Sequence, residues 1–163
     1  MIYFAFKVAA STDSFFSHEI ARVTRNPFCH VEIVLDATDP GRARCFSSRE
    51  GHGAGFALID IRNQALWEII QIPCTPEQEL LVRGYCMGAD GKAYDYAAIP
   101  RFVAVAAGHD AIPELHDFRA LFCSECAADV VAKCLGKSLG GKHPWGNFSG
   151  NAARHGGQRF RLD

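Results

Sequence analysis

The chain has 163 residues, 48% hydrophobic and 21% charged, with a formal net charge of −1. That length and apolar content suit one globular domain with a substantial core. The near-neutral balance removes the broad electrostatic case for nucleic acid or an anionic membrane surface as partner.

Seven cysteines, an odd number scattered without a small-scaffold framework, point to a reducing compartment rather than to a disulfide-stapled secreted fold. The opening MIYFAFKVAA lacks a basic n-region, and no apolar run approaches membrane-spanning length. The expectation is therefore no signal peptide and no integral membrane segment. Arg154, Arg159 and Arg161 tint the C-terminal tail basic, but three arginines in a Gly-containing tail read as solvated charge.

In chain order, Ile2 to Ala9 is aromatic and aliphatic and reads as a buried first strand. Ser11-Thr12-Asp13-Ser14 offers several helix caps, and Phe15, Phe16, Ile20, Ala21 and Val23 predict a short helix from Phe15 to about Thr24. Asn26-Pro27 breaks it. Phe28 to Asp36 is the clearest strand. Its alternation puts His30, Glu32 and Val34 on one face and Cys29, Val31, Ile33 and Leu35 on the other. The second set is a core face, which makes Cys29 structural; the first brings a histidine and a carboxylate together.

Asp39-Pro40-Gly41 signals a turn, after which Arg44 to Ser48 returns antiparallel to the His30 strand. Gly51-His52-Gly53-Ala54-Gly55 reads as a flexible loop. It is no phosphate cradle, because neither a Lys-Ser/Thr pair nor a strand-to-helix switch follows it. Two further strands are expected at Phe56–Ile61 and Trp67–Ile72. Thr75-Pro76-Glu77-Gln78 starts a helix with proline at its first position and capping-box spacing from Thr75 to Gln78. That helix carries Leu80, Leu81, Tyr85 and Cys86 before Gly88. Gly91 to Tyr96 leads into an apolar segment, Ala97 to Ala107, interrupted by Pro100. Asp110 to Asp117 reads as a loop.

The last clear element is a helix from Cys123 to about Leu135. Cys123, Ala127, Val130, Val131 and Cys134 fall at i, i+4, i+7, i+8 and i+11, one face of a 3.6-residue repeat. Glu125 and Asp129 lie in its first half and Lys133 near its end, as the helix dipole favours, and Gly136 is placed for a left-handed stop. Cys123 thus stands at a helix N-terminus, where partial positive charge stabilises a thiolate. Given a histidine within reach, it is a candidate nucleophile. A strand-rich first half and a helical second half predict an α+β domain, an antiparallel sheet with helices on one side.

Cys123-Ser124-Glu125-Cys126 is also a C-x-x-C. No second such pair exists, Cys29-His30 is not a standard ligand spacing, and the order of elements is not βαβ. Neither a zinc nor a redox site is expected, and no cofactor. Cys126 and Cys134 are assigned to packing.

Four stretches taken together resemble the circularly permuted, phage-associated branch of the NlpC-type papain-like cysteine amidase and peptidase superfamily. Ile20 to Val31 looks like the family's helix leading into the strand with the catalytic histidine, and Cys45-Phe46-Ser47-Ser48-Arg49 like the strand after it. Gly91-Lys92-Ala93-Tyr94-Asp95-Tyr96 is similar to the Tyr-Asp segment, and Phe122-Cys123-Ser124-Glu125 to the nucleophile motif. His30 precedes Cys123, the order of the permuted branch.

The resemblance implies a single permuted papain-like domain over residues 1–163, with Cys123 capping a helix packed against a sheet edge that bears His30. Cys123 would be the nucleophile and His30 its base, with Glu32 or Ser47 as the third member and Tyr94 lining the site. Several relatives place a glutamate on the strand after the histidine strand, where this chain offers Ser47 and Ser48. The implied activity is hydrolysis of an amide in a cell-wall (peptidoglycan) peptide, in the cytoplasm or a phage particle, on a peptide or acyl small-molecule substrate. The alternatives are a non-catalytic module of a phage-like assembly, or a lipid thioesterase or acyltransferase of the lecithin retinol acyltransferase type. The latter often carries a membrane-inserting segment, for which only Phe102 to Ala107 qualifies.

Overall fold

The structure is a computed structural model, and it describes residues 1–24, 27–97, 119–137 and 158–160. The expectations for Ala97 to Ala107, Asp110 to Asp117 and the tail arginines 154 and 161 fall wholly or largely outside those residues. Eight strands and three helices are described: β1 (Ile2–Val8), α1 (Phe15–Thr24), β2 (Phe28–Asp36), β3 (Ala43–Arg49), β4 (Gly53–Ile59) and β5 (Trp67–Ile72). They are followed by α2 (Pro76–Ala89), β6 (Ala93–Tyr94), β7 (Ala120–Leu121), α3 (Cys123–Asp129) and β8 (Gln158–Phe160).

The fold is α+β. Six strands form one antiparallel sheet in the order β4-β3-β2-β1-β5-β8, and β6 and β7 form a small parallel pair. The predicted sheet edge at His30 is corrected here: β2 lies inside the sheet, flanked by β1 and β3. The physical reason is in its composition. Val31 to Leu35 is buried without a break, as a strand covered on both faces requires.

The helices cover one face. Ile2, Phe4 and Phe6 of β1, Val31, Ile33 and Leu35 of β2 and Phe46 of β3 pack there against Val82 and Cys86 of α2 and Cys126 and Ala127 of α3. The other face buries Ala5, Val34, Cys45, Trp67 and Ile69 in a smaller cluster. On α2 the buried residues are Val82, Cys86 and Ala89, while Leu80 and Leu81 point to solvent. The α2 cap forms as its residues dictate: Thr75 Oγ1 accepts from Gln78 N (3.2 Å), and Gln78 Oε1 accepts from Thr75 N (2.9 Å).

The glycine-rich stretch is a loop only in part, since Gly53 to Gly55 already belong to β4. Gly53 has φ +77°, and a Cβ there would stand 2.4 Å from the Lys92 carbonyl oxygen. Only glycine lets these two backbones approach so closely. The approach matters for the site. Ala54 N donates to Lys92 O (2.8 Å), Ala93 N to Arg119 O (2.9 Å) and Asp95 N to Leu121 O (3.1 Å). A continuous ladder therefore runs from the sheet to the residue pair that precedes Cys123.

Candidate active site

Cys123 is the first residue of α3 and is 5% exposed. Three contacts fix its backbone. Glu125 Oε2 accepts from Phe122 N (2.7 Å), capping the first turn from within. Ser48, fully buried on β3, donates its hydroxyl to Leu121 O (2.6 Å). Cys126 N closes the first helical bond on Phe122 O (3.1 Å). The helix continues as a π-helical turn, Val130–Cys134, and Gly136 ends it at φ +63°, the left-handed stop its sequence position asked for.

His30 reaches Cys123 from β2. Pairing between β1 and β2 slips between Lys7 and Val8: Lys7 faces His30, Val8 faces Phe28, and Cys29 has no opposite number. A bulge of this kind bends its strand and re-aims the side chains beside it. His30 is the neighbour of that bulge. The Cys123 sulfur is near enough to its imidazole to be the strongest influence raising it, although the His30 parity belongs to the sheet face away from the helices.

Burial opposes charge on the ring, but the Cys123 sulfur, by charge and by hydrogen bond, and then Glu32 outweigh it. They raise the imidazole to about 10. Nε2 lies 2.8 Å from Glu32 Oε1.

The Glu32 side chain is 2% exposed. Two residues along one strand share a face, and that spacing proves short enough for a direct contact. Arg49 of β3 closes on the same carboxylate, with Nε to Oε1 at 2.9 Å and Nη2 to Oε2 at 2.5 Å, while its Nη1 donates to Gly55 O (2.9 Å).

Of the two candidates for the third position, the structure brings Glu32 to the imidazole and not Ser47. Ser47 is buried, and its hydroxyl donates to the Val31 carbonyl at 2.6 Å. Neighbouring register pairs, Ile33 with Phe46 and Val34 with Cys45, put Ser47 across from Glu32 if continued by one step. A serine side chain there is too short to look past the adjacent backbone acceptor. Tyr94 stands beside the site, its ring edge-on to Phe122 (5.6 Å between centroids) and against Tyr96 (4.9 Å). Burial, then the nearby Cys123 and Glu50, push its phenol upward, so it is held as a neutral hydroxyl.

Cys29 is buried, but it belongs to neither core cluster; its thiol donates to Lys7 O (3.6 Å). The bulge, which removes it from the regular alternation, accounts for the difference. Cys126 packs in the helix-side core. Among the described residues no group of three or more His, Cys, Asp or Glu side chains is arranged to hold a metal ion. No helix among them is long and apolar enough to cross a membrane.

Arg49 carries a role that the sequence reading did not give it. The signal was present: on a strand antiparallel to β2, Arg49 is a diagonal neighbour of Glu32 with the opposite charge.

No protein-family model matches the chain, and no curated protein matches its sequence. Among solved structures it is similar to the metalloprotein yiiX from Escherichia coli O157:H7, a DUF1105 protein. The two share 15% sequence identity and a TM-score of 0.61, over 90% of this chain and 77% of that one. At that identity the likeness speaks for the fold alone. The expected membership of the permuted NlpC-type superfamily, phage-associated branch, is corrected by these findings: no family matches, and the structural neighbour is a DUF1105 metalloprotein. The four motifs behind that expectation are short. Strand alternation, a helix cap and a turn generate such strings without common descent.

Proposed function

We propose that the protein is a cysteine-nucleophile hydrolase of amide bonds, with Cys123 as nucleophile, His30 as acid and base, and Glu32 as the residue that orients His30. The observation that carries this reading is the His30 imidazole, fixed by Glu32 with Nε2 2.8 Å from Oε1 and raised first of all by the nearby Cys123 at the start of α3. A nucleophile, a base and an orienting carboxylate in series form the arrangement that acyl transfer needs.

In the first step the Cys123 thiolate attacks the carbonyl carbon, and the oxyanion faces the backbone at the start of α3. His30 gives its proton to the departing nitrogen, and the C–N bond breaks to leave a thioester on Cys123 and a free amine. A water then loses a proton to His30 and attacks the thioester, releasing the acid and the thiolate. The raised imidazole favours an amide over a thioester substrate. An amine leaves only when protonated, whereas a thiolate leaves unaided, and a ring held near 10 keeps its proton at neutral pH. The cell-wall peptide drew its support from the family resemblance, so the substrate is stated here as the amide class.

The test is incubation of the full chain with a panel of amides, thioesters and one cell-wall stem peptide, followed by intact mass and product analysis. A hydroxylamine-sensitive acyl adduct on Cys123, amine release, and the loss of both in Cys123→Ala and His30→Ala support the reading. Turnover that survives Cys123→Ala, or no adduct with any acyl donor, overturns it.

A further inference from the structure

We propose that Arg49 is a positioning residue of this site, locking the Glu32 carboxylate in the orientation that aligns His30; the inference rests on the reading of Cys123 as nucleophile. The guanidinium takes both carboxylate oxygens, Oε1 through Nε and Oε2 through Nη2. A planar fork on a planar carboxylate fixes its rotation as well as its place, which a point charge cannot do. Oε1 is also the atom 2.8 Å from His30 Nε2. The fork is braced from its far side by the Gly55 carbonyl, so β4 steadies an arm that begins on β3 and acts on β2.

Charge leads to the same assignment. Glu32 is almost fully buried, and a buried anion persists only when paired. Glu32 touches both His30 and Arg49, and Arg49 is the cation that forks onto both of its oxygens.

The other groups around Glu32 offer no substitute. Lys7 of β1, opposite His30, is taken up by Asp13. Cys45 of β3 is a buried thiol pushed up to about 12, by burial and then by Glu32 itself. With Arg49 gone, the Glu32 carboxylate loses the fork that fixes its rotation, and His30 loses the aligned partner that holds its ring toward Cys123.

The experiment measures iodoacetamide labelling of Cys123 in the full chain from about pH 4 to about pH 9. Arg49→Gln is expected to move the acid limb up by about one unit, so that labelling at about pH 6 slows about tenfold. Arg49→Lys, which keeps the charge without the fork, is expected to move it part of the way. In a Glu32→Gln background Arg49→Gln is expected to add nothing, because its route to His30 is already cut. That double variant removes both charges of the buried pair and is expected to fold even where Arg49→Gln alone does not.

A wild-type pH profile in Arg49→Gln or Arg49→Lys, with or without lost thermal stability, overturns the proposal. So does an equal shift in the Glu32→Gln background. If wild-type labelling is itself indifferent to His30→Ala, the nucleophile reading falls, and the Arg49 role falls with it. Labelling that depends on His30 and ignores Arg49 refutes the Arg49 role alone.

Discussion

His30 and Glu32, two residues apart on β2, meet at 2.8 Å between Nε2 and Oε1 in a pocket that leaves the carboxylate side chain 2% exposed. An imidazole so held keeps one ring plane. Glu32→Gln preserves shape and removes charge, so it should slow Cys123 alkylation at about pH 6 by roughly tenfold or more. Ser47→Ala should leave that rate alone and cost about 1 kcal/mol, because the Val31 carbonyl loses its hydroxyl donor. Stopped-flow labelling and urea unfolding of the two variants give both readings. A rate loss in Ser47→Ala equal to that in Glu32→Gln would return Ser47 to the site.

The raised imidazole makes stability depend on pH in a defined direction. Its value is about 6.5 in the unfolded chain and about 10 in the folded one, so the folded state binds this proton more tightly. The resulting stabilisation is fully present below about 6.5 and is lost as pH rises through about 10. The urea midpoint of the wild type should therefore fall between those values, and His30→Gln should fall less over the same window. Equal slopes would show that His30 keeps its ordinary proton affinity in the folded protein.

How far the sequence foretold this arrangement depends on the range of each rule. The β2 strand, the Thr75 cap and the start of α3 are local, and each appears where the residues place it, while Cys29 leaves the β2 alternation and the helix passes into a π-helical turn after Asp129. Local rules also supplied Cys123 at a helix start and His30 beside Glu32 on a strand. They did not supply β2's inner position, because the neighbours of a strand are set by long-range pairing that no short pattern encodes. The bulge at Cys29 escaped for the same reason: an extra residue shows only once β1 lies alongside. In the sequence Arg49 is only the last residue of a short strand motif. Its meaning emerges only when the β2–β3 register sets it diagonal to Glu32. The family resemblance failed at the opposite scale, since strings of this length recur wherever the same local rules apply.

Ser48 offers a test of how the nucleophile is placed. Its buried hydroxyl is the side-chain tie between β3 and the Leu121 carbonyl, two residues before Cys123. Ser48→Ala leaves that carbonyl without the donor and should cost about 1–2 kcal/mol. It should also lower the Cys123 labelling rate at every pH without moving the acid limb, because position changes while the charges on His30 and Glu32 stay. Ser48→Thr, which keeps the hydroxyl, should recover part of the rate. An unchanged rate in Ser48→Ala would assign the placement of Cys123 to the backbone ladder alone.

The sharpest expectation is that Cys123 reacts first among the seven thiols. Five of the others are held back by their surroundings. Burial, then neighbouring anions or thiols, pushes Cys45 and Cys86 up to about 12 and raises Cys126 as well. Burial and then Asp13 raise Cys29, and burial and then Asp129 raise Cys134. Cys74 is half-buried and is the competitor by access, so Cys74→Ala serves as the control background. Only Cys123 combines a helix start with a nearby histidine. Iodoacetamide at about pH 6, mapped by peptide mass spectrometry, should modify Cys123 before any other cysteine, and His30→Ala should slow it about tenfold or more. Cys126→Ala and Cys134→Ala should each cost about 1 kcal/mol and leave Cys123 as reactive as before. If Cys126→Ala instead abolished that reactivity, the C-x-x-C would be acting as a unit and a redox role would replace hydrolysis. If Cys123 proved no faster than a thiol in the urea-unfolded chain, and indifferent to His30, the enzyme would give way to a binding module.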